Sequence, residues 1–135
     1  MPYCKLYYHF VWGTKYRAPT ISSDVEPVLF DFIRSKTIGM GGIVYALNGI
    51  EDHIHLVAHI PRTAPIAQFI GKVKGSSSAR LNKSGSGGGH FYWQAEYSAF
   101  TVSEMTVPKI IRYVDIQKTH HKQGTCDPKL ELLVY

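Results

Sequence analysis

Polar and apolar residues alternate along several short stretches of the chain, and this period of two is typical of β-strands with one buried face. Aromatic and β-branched side chains dominate these stretches, as strands favour. The last stretch is interrupted near residues 94–96. Four strand regions are predicted in this way: residues 6–12, 43–50, 53–60, and the paired short runs 91–93 and 97–102.

Three other segments repeat apolar residues every three to four positions, which is the spacing of one helix face. The first runs from near Asp24 to Gly39, the second covers about residues 66–81, and the third runs from near Thr106 to about Lys122. On the second helix, four cations are predicted to point outward: Lys72, Lys74, Arg80 and Lys83. Residues 123–135 are predicted to form a turn and a short apolar tail.

The element order is therefore β-α-β-β-α-β-α, and its first six elements match the split β-α-β pattern. This order predicts an α+β fold with a ferredoxin-like antiparallel sheet, helices packed on it, and an added C-terminal helix. A chain of 135 residues is expected to form a single domain over residues 1–135, because two independent cores would each be too small.

Composition excludes several classes of protein. No apolar run approaches the roughly 20 residues that span a bilayer, and the polar start at residues 1–5 does not resemble a signal peptide. Cys4 and Cys126 lie at opposite ends without metal-ligand spacing, so free thiols are expected. These features predict a cytoplasmic protein without a membrane partner.

The charge balance indicates a polyanionic partner. Fifteen Lys and Arg residues against ten Asp and Glu give a formal charge of +5, and 13% of residues are aromatic. Cations interleaved with aromatic rings suit single-stranded nucleic acid, where they meet phosphates and stacked bases. The same rings would also fill a small core, so composition alone leaves both interpretations open.

A His-x-His pair gives the sharpest local signal. His53 and His55 lie two residues apart on a predicted strand, so both imidazoles point to one face. Two neutral imidazoles so placed can bind one divalent ion, but they can equally be strand histidines bonded to their neighbours. His59 lies further along the same face and either extends such a site or lines it.

The last helix adds a second signal. Tyr113 and Gln117 are four residues apart and so occupy one face, one turn from each other. A glutamine carbonyl can be a third ligand for Mg²⁺ or Mn²⁺, which accept mixed oxygen and imidazole donors. The Tyr113 phenol would then stand where it could attack a phosphate that the metal polarises.

Several blocks of residues resemble a known family. In order and spacing over about residues 7–120, they are similar to the HUH single-tyrosine transposases of the insertion-sequence-200/605 type. At Ile116 the chain departs from the family, which commonly has asparagine at this position. The matching blocks are YHFVWGTKYR at 8–17, DHIHLV at 52–57, KVKGSSSAR at 72–80, FYWQAEY at 91–97 and RYVDIQ at 112–117.

The resemblance implies a function and a site. Such proteins are homodimers that bind DNA hairpins and cut one strand, and a helix of one subunit can complete the site of the other. His53, His55 and Gln117 would hold Mg²⁺ or Mn²⁺ on the scissile phosphate. Tyr113 would form a 5′-phosphotyrosine link and free a 3′-OH, and a second transesterification would join new ends without ATP.

Further residues are candidates for DNA contacts. Phosphate contacts position DNA without reading its sequence, whereas unpaired bases stack on aromatic rings. The predicted phosphate contacts are Lys15, Arg17, Lys72, Lys74, Arg80, Arg112 and Lys118. The candidate stacking rings are Tyr7, Tyr16, Tyr92 and Trp93, whereas Trp12 is assigned to the core. His120 and His121 are expected to end the last helix, where positive charge is favourable.

Three alternatives remain open on the sequence alone. A non-catalytic, single-stranded nucleic-acid-binding ferredoxin-like module is one, although the usual Arg/Lys-Gly-Phe run is missing. A phosphoesterase that uses histidines as acid and base would need two His-x-Thr/Ser motifs, and this chain has a single His-x-His. A domesticated, repeat-associated relative of the transposases differs from a mobile-element enzyme only in its flanking DNA.

Overall fold

Four antiparallel strands form the central sheet of the computed structural model, which describes residues 3–131. Their order across the sheet is β2-β3-β1-β4, and every neighbouring pair is antiparallel. This is the ferredoxin-like arrangement that the element order predicts. The strands are β1 Tyr7–Gly13, β2 Ile43–Ile50, β3 His53–His59 and β4 Ser98–Val102.

Within residues 3–131, four α-helices and two short 3₁₀ turns accompany the sheet. The 3₁₀ turns cover Lys15–Arg17 and Ser86–Gly89. The predicted strand at residues 91–93 is wrong, because Trp93 forms only an isolated bridge with Thr14 and β4 begins at Ser98. The helices are α1 Val25–Gly39, α2 Ile66–Ser84, α3 Val107–Asp115 and α4 Gln117–Gln123.

The larger core lies between one face of the sheet and helices α1 and α2. Alternation along β1 sends Phe10 and Trp12 to this face, and both are fully buried. Leu29 of α1 and Phe69 of α2 pack into the same cluster. This layer therefore fixes which β1 side chains point to the opposite face.

Helix α3 covers the opposite face of the sheet. Ile110 and Val114 pack against Val57 of β3 and Ala46 of β2. Ile110 and Val114 are four residues apart and pack this face of the helix against the sheet. Tyr113 therefore lies over β3 and belongs to the same cluster. The second face therefore brings the tyrosine helix to the strand that bears the histidine pair.

The last predicted helix is broken, so the expectation of one continuous helix to Lys122 is wrong. Ile116 has φ −107° and ψ 27°, which separates α3 from α4. The His120 amide still donates to the Ile116 carbonyl at 3.0 Å, so α4 continues after a single non-helical residue. Tyr113 and Gln117 thus lie on different helices but remain neighbours.

Lys74 is not exposed, so the prediction that it points outward is wrong. Its ammonium donates to the backbone carbonyls of Gln94, Ala95 and Glu96 at 2.7, 3.2 and 3.0 Å. It lies on the inner side of α2, where it is 8% exposed. Lys74 therefore links the segment before β4 to helix α2 through hydrogen bonds. In this conformation its ammonium contacts backbone carbonyls and is not available to a phosphate.

Two predictions about the whole chain can be compared with residues 3–131. None of the helices in this range combines the length and hydropathy needed to cross a bilayer. Cys4 and Cys126 are free thiols, as expected. The end of the predicted apolar tail, residues 132–135, lies outside the described residues.

Candidate functional site: a histidine, tyrosine and glutamate cluster

The two histidines of the His-x-His pair are buried side by side on β3. The period of two along the strand gives them one face, and their ring centroids are 5.2 Å apart. Both Nε2 atoms lie close to the same oxygen, Glu131 Oε1, at 3.1 Å from His53 and 3.2 Å from His55. Their convergence on one point is the geometry that the sequence predicts for a pair of ligands.

Tyr113 and Gln117 meet the other oxygen of the same carboxylate. The Tyr113 hydroxyl donates to Glu131 Oε2, and Gln117 Nε2 donates to this oxygen at 3.2 Å. One carboxylate therefore contacts all four residues that the sequence singles out.

Sequence reasoning missed two members of this cluster. His121 Nε2 lies 3.0 Å from Glu131 Oε1, and the spacing of four between Gln117 and His121 was a usable signal. Glu131 lies beyond the last helix, in a segment with no regular structure. Nothing in the local sequence indicates that this segment folds back onto the sheet.

Each histidine of the pair has a different partner behind it. His53 Nδ1 lies 2.8 Å from Asp52 Oδ1, and Arg17 donates to Asp52 Oδ2 at 3.1 Å. His55 Nδ1 lies 2.8 Å from His9 Nε2, and these two rings are stacked. Partners of this kind fix the ring orientation and tautomer of a ligating histidine.

Burial and charge set the protonation of the cluster. Burial acts to raise the pKa of Glu131, but hydrogen bonds with His53 and His55 outweigh it and hold the pKa well below its usual range. Burial and the Glu131 carboxylate both raise the pKa of Tyr113 above its ordinary value. At neutral pH the carboxylate is therefore ionised and the phenol keeps its proton.

The inner histidine is neutral. Burial, together with the neighbouring His55, lowers the pKa of His9 to about 3. Burial also lowers the pKa of His55, although Glu131 partly offsets it. Two neutral imidazoles share one hydrogen bond, so a single proton lies between them and decides which nitrogen of His55 carries a lone pair.

The donor set fits a divalent cation. Ligand atoms of His53, His55, His121 and Glu131 all lie within 4.8 Å of one another. The nitrogen–oxygen separations of 3.0–3.2 Å match ligands that share one ion with bonds of about 2.1 Å. Gln117 Oε1 is buried and accepts no hydrogen bond from residues 3–131. A 180° turn of its amide would therefore offer a carbonyl oxygen to the same ion.

Comparison with known proteins identifies the family of the chain. The model of the family described as "Transposase IS200 like" matches residues 2–117. The chain belongs to the IS200-like transposase family. It is 30% identical over 125 residues to the ISDra2 transposase TnpA of Deinococcus radiodurans, covering 88% of this chain and 87% of that protein.

Another relative and two solved structures are also similar to the chain. The chain is 28% identical over 127 residues to the transposase for insertion sequence element IS200 of Salmonella typhimurium, covering 90% and 81% of the two chains. A crystal structure from Deinococcus radiodurans, described as that of a "putative transposase", superimposes with a TM-score of 0.69 at 29% identity over 86% of this chain and 93% of that chain. A REP-associated tyrosine transposase bound to a REP hairpin shares the fold, with TM-score 0.67, 14% identity and coverage of 92% and 72%.

The predicted phosphate contacts of this IS200-like chain divide into two groups. Arg17 lies at the site, where Nη2 is 3.4 Å from His53 Nδ1, and Lys118 extends from α4 to Glu26 and Asn48 at 2.9 and 2.7 Å. Lys15 and Arg112 are exposed and lie close in sequence to Arg17 and Tyr113. Lys72 and Arg80 are exposed on α2, which packs on the other face of the sheet.

The four candidate stacking rings also fall into two groups, those packed against other rings and those exposed to solvent. Trp93 donates from Nε1 to Ser77 Oγ at 3.0 Å and packs edge-on against Phe91, so it supports the core. Tyr7 packs edge-on against Tyr45. Tyr16 and Tyr92 are exposed, at 90% and 54%. Only these last two of the four candidates present much ring surface to solvent.

Two further histidines that the sequence singles out, His120 and His59, have separate roles. His120 stacks on the Tyr113 ring, with centroids 4.4 Å apart, and so helps to orient the phenol. His59 Nδ1 accepts a hydrogen bond from the Leu6 amide at 3.3 Å. His59 therefore lines the far part of the face instead of extending the cluster.

Proposed function

We propose that this chain is a DNA transposase that cleaves and rejoins single-stranded DNA at the hairpin-flanked ends of an insertion sequence. Tyr113 is the nucleophile, and the intermediate is a 5′-phosphotyrosine. Membership of the IS200-like family supports the reaction class. The contact of Tyr113, His53 and His55 with one carboxylate is the observation that carries the proposal.

The Glu131 carboxylate stands in for the scissile phosphate. Both are anionic groups with several acceptor oxygens, and Glu131 turns one oxygen to the imidazoles and the other to the Tyr113 hydroxyl. A phosphodiester in this position would place its phosphorus next to the phenol oxygen. DNA would then displace the segment that carries Glu131.

In the first step one bond forms and one bond breaks, so the step needs no outside energy source. The Tyr113 oxygen forms a bond to phosphorus and gives its proton to water, the P–O3′ bond breaks, and the departing oxygen takes a proton to become a 3′-OH. In the second step a 3′-OH attacks the phosphotyrosine and releases Tyr113. Because the tyrosyl ester conserves the bond energy, ATP is not needed.

His53, His55 and Gln117 would hold Mg²⁺ or Mn²⁺, with His121 beside them. When bound, the cation would withdraw charge from the scissile phosphate and favour the phenolate form of Tyr113. Asp52 and His9 would orient the two imidazoles from behind. His120, stacked on Tyr113, would hold the ring in line.

The proposed partners are hairpin-bearing single-stranded DNA and a second copy of the chain. One fold neighbour is bound to a REP hairpin, which makes such DNA the first substrate to test. Arg17, which contacts His53, and the exposed Lys15, Arg112 and Lys118 would neutralise backbone phosphates. In the proposed homodimer, helices α3 and α4 of one copy would complete the site of the other copy. The contacts described above would then form between two chains with the same geometry.

The test is a denaturation-resistant protein–DNA adduct. The protein is incubated with single-stranded hairpin DNAs from its own genomic flanks, in Mg²⁺, Mn²⁺ or EDTA. We expect an adduct that requires metal and disappears in Tyr113→Phe, whereas Tyr3→Phe, which alters an exposed tyrosine, retains it. Peptide mapping then places the nucleotide on Tyr113.

Other results would point elsewhere. Binding of these DNAs without an adduct in either metal would contradict the transferase and favour the non-catalytic nucleic-acid binder. An adduct that persists in Tyr113→Phe would show that another residue is the nucleophile.

A further inference from the structure

The short segment after β1 has a strained backbone. Tyr16 has φ 59° and Arg17 has φ 55°, a left-handed region that non-glycine residues rarely adopt. Hydrogen bonds hold this conformation, from the Thr14 hydroxyl to the Ala18 carbonyl at 2.7 Å and from the Arg17 amide to the Thr14 carbonyl at 3.0 Å. Backbone strain of this kind clusters at binding sites.

The strained turn presents an aromatic surface. The Tyr16 ring is 90% exposed and Tyr92, on the neighbouring segment, is 54% exposed. The Lys15 ammonium lies 5.4 Å from the Tyr16 ring centroid and 5.9 Å from that of Tyr92. Two exposed rings therefore flank one cation, with the Lys15 amide bonded to the Tyr92 carbonyl at 2.9 Å.

A cleft of about 540 Å³ adjoins this surface and includes Gln94 and Ala95 in its walls. Its volume lies in the usual range for small-ligand sites, about 300–1,000 Å³. Exposed rings beside a cation suit an unpaired base with its attached phosphate, because the base stacks and the phosphate meets the charge. The positive charge argues against a purely apolar occupant.

The surface is continuous with the candidate active site. Arg17, the next residue after Tyr16, bonds Asp52 at 3.1 Å, and Asp52 in turn contacts His53. The Thr14 amide also donates to the Asp52 carbonyl at 2.9 Å. A DNA strand that leaves the histidine cluster along Arg17 would reach Tyr16 next.

We propose that Lys15, Tyr16 and Tyr92 form a subsite that stacks an unpaired base close to the scissile phosphate, with Lys15 bound to the DNA backbone. This rests on the proposed function, because it assigns the path of the single-stranded substrate. The subsite accepts any base, since every base offers a ring face. It contributes affinity and position, not sequence identity.

The test measures binding of single-stranded DNA that carries 2-aminopurine at successive positions beside a hairpin. We expect Tyr16→Ala and Tyr92→Ala to weaken binding about 5- to 100-fold and to restore fluorescence at one position. Tyr16→Phe should stay within about 2-fold of the parent. Lys15→Gln should lower the slope of log K against log salt by about 1.

Tyr3→Ala is the matched control, because Tyr3 is also exposed and its ring lies 5.3 Å from the Lys5 ammonium. Tyr3 precedes β1, whereas Tyr16 follows it. Tyr16→Gly separates ring loss from backbone disturbance, since glycine adopts this φ without strain; it should bind as weakly as Tyr16→Ala.

Three outcomes would overturn the subsite. They are equal losses for Tyr16→Ala and Tyr3→Ala, a loss for Tyr16→Phe as large as for alanine, or the same loss on a blunt duplex without unpaired bases. If the parent protein forms the Tyr113 adduct while Tyr16→Ala binds normally, only the subsite fails. If the parent binds no single-stranded DNA at all, the proposed function fails with it.

Discussion

His9 Nε2 lies 2.8 Å from His55 Nδ1, and both rings are buried. When His55 Nε2 donates to Glu131, its Nδ1 must accept the hydrogen bond from His9. When His55 Nε2 instead offers a lone pair to a cation, its Nδ1 must carry the proton and donate to His9. Metal binding is thus expected to reverse the tautomer of His55 and, with it, that of His9.

His9 should therefore control metal affinity without being a ligand. His9→Leu leaves His55 Nδ1 without a partner and should weaken Mn²⁺ binding about 10- to 100-fold. His9→Gln places an amide near the former Nε2 and should recover most of the affinity. Titration calorimetry with Mn²⁺ in the absence of DNA measures both. Equal affinities for His9→Leu and the parent would remove His9 from this role.

Acid should destabilise the fold before its carboxylates titrate. The folded-state pKa of His9, about 3, lies below the unfolded value near 6.5. The unfolded chain therefore binds more protons between these values, and stability is lost as pH falls below about 6.5. Each such histidine contributes up to about 1.4 kcal/mol per pH unit.

The His9 contribution can be isolated by substitution. Urea unfolding between pH 7 and 5 should show a smaller loss of stability in His9→Gln than in the parent. His55, whose pKa is also lowered, keeps part of the slope in both proteins. Identical slopes would show that His9 is protonated within the fold.

Glu131 should compete with DNA for the cluster. In Glu131→Gln the anion beside the histidines and the phenol is lost, so the apparent affinity for hairpin DNA should rise about 3- to 10-fold. The rate at saturating DNA should stay the same, because Glu131 takes no part in the proposed transfer. Glu104→Gln alters an exposed carboxylate paired with Lys5 and serves as the control. Weaker DNA binding by Glu131→Gln would contradict this prediction.

Lys74 should matter for stability. Lys74→Met removes the charged donor of three partly buried hydrogen bonds and should cost about 2 kcal/mol of unfolding free energy. Lys72→Met, two residues away and exposed, should stay within about 0.5 kcal/mol of the parent. Denaturant unfolding of both variants measures the difference. Similar stabilities would show that the Lys74 hydrogen bonds are replaced by water.

Substitution of Tyr16 by glycine in the strained turn should raise the free energy of unfolding, although it weakens DNA binding. Tyr16→Gly relieves a left-handed conformation, which costs about 1–2 kcal/mol for an ordinary residue, but it adds freedom to the unfolded chain. The expected net effect is a rise in unfolding free energy of up to about 1 kcal/mol. Tyr3→Gly, at a site without positive φ, should not stabilise. A fall in stability for Tyr16→Gly would mean that the exposed ring supports the fold.

Periodicity was enough to predict the sheet and the faces of its strands. Alternation predicts that His53 and His55 lie together, and the same rule applied to β1 places His9 on the face opposite Phe10, where the structure has it. The same rule applied to α2 places Lys74 one turn from Ile70, on the buried side. The outward prediction for Lys74 is wrong because the side of α2 on which a residue lies follows from its spacing to Ile70 and not from its charge.

The remaining differences depend on contacts distant in sequence. The break at Ile116 has no glycine or proline to mark it, yet it leaves Tyr113 and Gln117 on the same carboxylate. Glu131 lies 76 residues from His55, and no local pattern specifies where an irregular segment will fold back. Such contacts are decided by tertiary packing and charge.

The order in which the chain is made has a consequence for when this cluster can form. β1 lies between β3 and β4, and the cluster combines residues from β1, β3, α3, α4 and position 131. At about 5–20 residues per second, a growing chain displays its His-x-His strand several seconds before the tyrosine leaves the ribosome. The histidines therefore spend that interval without Tyr113, and a nascent chain can complete the cluster only late in its own synthesis.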